Sequence, residues 1–184
     1  VTGVLTTTAA AVFNGGFTSN ADTNTFTSAN ASDPLVIIKN TANDASGARL
    51  SFQKDKGANA ADGDDIGTIT FIGDNNAQEQ TNYGSIVVEV SESQDTDEAG
   101  KMSFFVAESN GTASQLTAGL IIEGEHVTDG EVDVTIAAGT ASTTTVSGNL
   151  AVTTQLTATS GAVSAPTYSF VGDTDTGISR PTTN

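Results

Sequence analysis

The side chains with the most chemical potential are carboxylates gathered in two loop-like stretches. Asp55, Asp62, Asp64 and Asp65 lie in a Gly- and Ala-rich stretch, and Glu92, Asp95, Asp97 and Glu98 lie in the next long one. A hard cation such as Ca²⁺ takes roughly six to eight oxygens from carboxylates, carbonyls and water. Loops of this kind can converge on one, with Asp62, Asp64 and Asp65 as candidate ligands. Neither stretch follows the EF-hand order D-x-[DN]-x-[DN]-G with its closing Glu, and the plainer reading is solvated loop charge. Paired carboxylates also serve glycoside hydrolysis, which needs two carboxyls about 5–10 Å apart in a groove floored by aromatic rings. The chain has no Trp and 2 Tyr, so that floor is poorly supplied and no enzyme activity is expected. The single imidazole is His126, between Glu125 and Val127. Three copies on a threefold axis would offer three imidazoles to a metal or a pH switch; the plainer reading is an exposed or hydrogen-bonded junction residue.

Composition narrows the field further. There are 6 Lys+Arg against 22 Asp+Glu among 184 residues, a formal net charge of -16. Binding to a phosphate backbone needs Lys and Arg to displace counterions, so nucleic acid is not expected as a partner. Attraction to an anionic membrane surface fails on the same ground, and no segment approaches the roughly 20 apolar residues that span a bilayer. Without Cys there is no disulfide, thiolate metal site or Cys nucleophile. The chain opens at Val1, its sole Met is Met102, and no signal-type segment follows. The expectation is a fragment, a processed product or the ordered part of a longer polypeptide.

The elements that must position these groups read as all-β. Residues 1–32 carry isolated apolar side chains such as Phe13, Phe17 and Phe26 among Thr, Asn and Ser. They form either a disordered linker or an extended segment packed on sister chains. From residue 33 six short apolar or alternating runs follow: 34–38, 48–53, 66–72, 83–90, 101–107 and 116–122. Gly, Asp and Asn clusters punctuate them. No window sustains a helical period. Residues 33–124 are therefore expected to form a small antiparallel β-sandwich-like unit. Within it the adjacent Phe104 and Phe105 must point to opposite faces of a strand, one toward a core and one toward a sister chain.

Beyond His126 the texture changes. Residues 131–136 alternate strictly, and then Val146, Leu150, Val152 and Leu156 recur every two to four residues amid Thr and Ser. One such segment cannot form a core, but copies around a common axis can. Residues 125–163 thus read as an extended β shaft, with Val132, Val134, Ile136, Val146, Leu150, Val152 and Leu156 as candidates for the centre of an intertwined homotrimer. Residues 164–184 place Tyr168 and Phe170 on one strand face before a turn over 172–177.

The central run, from GARLSFQKDKG through DIGTITFIGDNN and YGSIVVEVSESQDTDEAGKMSFFVAESNG to EVDVTIAAGTASTTTVSGNLAV, resembles repeat-rich regions of bacteriophage tail-fibre proteins, marine and cyanobacterial ones especially. The terminal PTYSFVGDTDTGISRP resembles a tail-fibre and tailspike motif, SF-x-GD-[TP]-[DN]-TG-[IM]-[YFS]-R. Here Ser169, Phe170, Gly172, Asp173, Asp175, Gly177 and Arg180 carry it. The resemblance covers roughly residues 47–180. It implies a homotrimeric structural protein of the virion tail, assembled in the host cytoplasm, that contacts other phage tail proteins and acts in host attachment through a bacterial surface receptor or polysaccharide. In that family such motifs often lead into a distal region that aids trimer assembly. Two other readings stay open: a receptor-binding adhesin tip, for which Tyr83 is the one obvious aromatic in the central unit, and a capsid decoration protein.

Overall fold

The computed structural model describes residues 13, 16–127, 130–137, 139, 141–157, 168–170 and 173–178. The chain divides into two units, residues 1–52 and 53–184. Among the described residues, the second carries all the regular structure. Strands β1 (Asp65–Asp74), β2 (Gln80–Glu92), β3 (Ala99–Ser109), β4 (Ser114–Gly124) and β5 (Val132–Ile136) form one antiparallel sheet in the order of the chain. A separate hairpin pairs β6 (Tyr168–Phe170) with β7 (Asp173–Ile178). Among the described residues there is no helix, so none is long and apolar enough to cross a membrane. The all-β expectation holds.

Side chains of Asn close two of the hairpins. Between β1 and β2, Asn75 Oδ1 accepts from the backbone N–H of Ala77 at 2.8 Å and of Glu79 at 3.0 Å. Between β3 and β4, Asn110 Oδ1 accepts from Thr112 N at 2.9 Å and Ala113 N at 3.1 Å. Gly111 supplies the positive φ (87°) that this Asn-Gly turn requires.

The register sorts the side chains into two unlike faces. Ile69, Ile86, Phe104, Leu120 and Ile136 stand opposite one another across all five strands. The neighbouring row on that face is Gly67, Val88, Met102, Ile122 and Val134. The reverse face alternates with these, carrying Thr68, Val87, Ser103, Ile121 and Thr135, and beyond them Glu89, Lys101, Glu123 and Asp133. A bulge on β4 places Leu120 opposite Phe104 and Ala118 opposite Phe105, so the paired phenylalanines do lie on opposite faces. Both are half-buried.

No hydrophobic side chain among the described residues is buried; the buried residues are Ser85 (6% exposed) and Ser103 (2%), small side chains on the inner strands. Among the described residues the expected sandwich therefore has one layer: a sandwich core forms between two sheet faces, and no second sheet of the described residues packs on the five-stranded one. Two expected strands are missing. Residues 34–38 and 48–53 have no ladder partner, and Leu35 and Ile37 are 72% and 71% exposed. In the unit 1–52 local bonds dominate, such as Ala42 N to Asn40 Oδ1 (2.8 Å), Ser46 N to Asp44 Oδ1 (2.8 Å), and the Phe13–Phe17 ring pair at 5.7 Å.

Candidate functional site

At one end of the sheet the segment leading into β1, the β2–β3 connection and the β4–β5 connection lie side by side, because an antiparallel meander returns every second connection to the same edge. The approach to β1 is fastened to β2 by backbone bonds: Gly63 N to Val90 O (2.8 Å) and Val90 N to Asp64 O (2.9 Å). That pairing presents Asp62 to the next loop, where its Oδ1 accepts from Ser93 N at 3.0 Å and Ser93 Oγ at 2.8 Å. Glu92 Oε1 accepts from Ser93 N (2.8 Å) and Gln94 N (2.9 Å). His126, on the third connection, meets Asp97 through Nδ1···Oδ2 at 3.3 Å.

Asp64 is engaged differently. Lys56 Nζ reaches both of its carboxylate oxygens, at 2.7 and 3.0 Å, and Ala61 N donates to Oδ2 at 2.9 Å. The Lys56 hydrogen bond, followed by the Ala61 amide, holds the carboxyl below its ordinary range. Asp65 opens β1, opposite Glu89. The three carboxylates put forward for Ca²⁺ thus go to three different tasks: Asp62 to Ser93, Asp64 to Lys56 and Ala61, Asp65 to the strand start. Among the described residues no group of three ligating side chains could hold a metal ion. The arrangement is a polar latch that ties neighbouring connections together. On the reverse face Lys101 pairs with Glu89 at 3.2 Å, and Ser91 Oγ donates to Glu123.

The opposite end is apolar and open. A groove of about 370 Å³ is lined by Phe71, Tyr83, Phe104, Phe105 and Val106 among others. Tyr83 is half exposed, and its hydroxyl reaches Asp74 O at 3.4 Å. A wider trough of about 950 Å³ runs between the β3–β4 ends and residues 137, 139 and 141–144. It is anchored where Ala137 N donates to Gly119 O at 2.9 Å.

Val132, Val134 and Ile136 form the outer edge of the sheet's apolar side, each more than half exposed. Val146, Leu150, Val152 and Leu156 lie outside any strand and are exposed. Of the terminal motif, Ser169 and Phe170 fall on β6, and Asp173, Asp175 and Gly177 on β7. Gly172 and Arg180 lie outside the described residues. The turn expected over 172–177 is shorter than that, since residue 173 already pairs with Phe170.

Ser93 and Lys56, the partners that occupy the acidic loops, carried no signal in the sequence. Lys56 is eight residues from Asp64 across a Gly-Ala loop, and Ser93 meets Asp62 only once the strands are in register. No protein-family model, curated protein or solved structure matches this chain.

Proposed function

We propose that this chain is a structural virion protein, part of a phage tail fibre that serves tail assembly and host-cell attachment as a homotrimer, without catalytic chemistry of its own. One observation carries the reading: a well-registered five-stranded sheet with one apolar face and no buried hydrophobic side chain among the described residues. A contiguous exposed apolar face of this size marks a surface for interaction. The terminal motif and its resemblance to tail-fibre segments supply the virion context, and the net charge of -16 keeps apolar-striped assemblies from sticking to one another.

The test is the solution mass of the 184-residue chain by light scattering, beside an unheated detergent gel, followed by capture from purified virions. A particle of about three chain masses that captures tail proteins supports the reading. Capture of capsid proteins instead supports a decoration protein. The groove around Tyr83 and Phe71 favours a second reading, a receptor-binding tip. That reading requires the isolated chain to bind host cells and Tyr83→Ala to abolish the binding.

A further inference from the structure

The apolar side of the sheet is the largest unexplained feature of the molecule. The row Ile69, Ile86, Phe104, Leu120, Ile136 and the row beside it hold ten residues without one charge. We infer that this face is closed by further copies of this chain, apolar face against apolar face, with the row from Glu89 to Asp133 turned to solvent. This deepens the homotrimer reading by assigning the contact to one face of one sheet.

Area and charge carry the assignment. Five strands about 4.8 Å apart, four contributing some seven residues and β5 its five, at about 3.3 Å each, give a projected face on the order of 500 Å². Side-chain relief makes the accessible area larger. A pair of such faces buries more than about 1,000 Å² in total, the threshold for a specific interface. Charge then selects the occupant. A basic partner would be drawn to the reverse face, where Glu89, Glu123 and Asp133 lie in one row with a single Lys101. A copy of this acidic chain would be repelled from that row, yet meets no carboxylate within the two apolar rows. Glu108 and Gln115 stand beyond the apolar rows, at the far ends of β3 and β4, as the polar rim of an interface does.

The chain has no Cys, so single-thiol variants read the two faces directly. Val134 and Thr135 are adjacent on β5, point to opposite faces and are both exposed in one chain. Full-length Val134→Cys and Thr135→Cys are each labelled with iodoacetamide while particle mass is followed by light scattering. The expected result is a particle of several chain masses in which the thiol at 134 reacts at least about 10-fold more slowly than the thiol at 135. Met102→Cys, on the same face of the central strand, serves if Val134→Cys does not assemble. Equal rates within a multimer overturn the face assignment and leave the homotrimer reading standing. Slow labelling at 134 in a monomer overturns both, because the cover is then the chain's own. Fast labelling of both in a monomer also overturns both.

Discussion

Residues 35–38 (LVII) and 69–72 (ITFI) make an instructive pair. The first is the more apolar, four aliphatic side chains in a row, yet it stands without a partner and largely exposed. The second has a Thr in it and is the middle of β1, paired with β2 throughout apart from a bulge between Phe71 and Ile72. Apolarity does not distinguish them; neighbours do. Residues 69–72 precede a turn that Asn75 closes, so a complementary strand arrives at once. Residues 35–38 are followed by Lys39 and Asn40, whose Oδ1 and Nδ2 bond to Ala42 N and Ser46 O in a local loop, and no returning strand pairs with them. A strand is defined by what its turn delivers opposite it.

The largest effect that would break this contrast is a charge in the apolar row. Phe104→Asp is expected to reduce the particle to chain mass and abolish any detergent-resistant band, because a desolvated carboxylate has no partner there. Leu35→Asp, in the unpaired segment, is expected to leave both unchanged. If Leu35→Asp proves equally disruptive, residues 35–38 are part of the contact and the contrast fails. Next in size is the turn. Gly111→Val puts a β-branched side chain at φ 87° and is expected to cost about 1–2 kcal/mol, read as a lower thermal midpoint. Asn75→Ala, which frees two amides, is expected to cost about 1 kcal/mol.

Smaller still are the loops. Asp62→Ala removes both bonds to Ser93 and is expected to speed amide exchange at Ser93 while shifting the thermal midpoint by less than about 1 kcal/mol equivalent. Asp64 gives a pH signature. Its carboxyl is held low in the folded chain, so the Lys56 contact is fully present above the ordinary carboxylate range and is lost as pH falls through the lowered value. Carboxyl titration by NMR should show Asp64 titrating below the ordinary carboxylate range, and Lys56→Ala should bring it up toward that range. The pair is solvent-exposed, so little change in global stability accompanies this.

The strands of the sheet were legible because alternation bounded by Asn, Asp and Gly carries its own geometry. The runs 66–72, 83–90, 101–107 and 116–122 fall on β1 to β4, and all but the first residue of 131–136 falls on β5. What misled at residues 34–38 and 48–53 was composition without a partner. The terminal turn was misjudged because Gly and Asp signal turns, whereas Asp173–Ile178 is strand. The second layer of the sandwich was unreadable for a different reason: a two-period pattern states that a face is apolar, not which molecule covers it. The acidic loops were legible as charge and opaque as geometry, since Asp62 and Ser93 are 31 residues apart and meet only through the ladder between them.

The order of the strands has a consequence for how the molecule comes into being. Every strand of the sheet pairs with its neighbour in sequence, so each contact closes a short loop and the sheet can zip up from one hairpin outward as the chain leaves the ribosome. Zipping is first order, whereas the proposed covering of the apolar side by further copies is a collision between finished sheets. Recovery of the assembled form after dilution from denaturant should therefore depend on protein concentration, with return of strand signal independent of it. At low concentration a population of zipped, uncovered sheets should accumulate, the species on which any assembly factor would have to act.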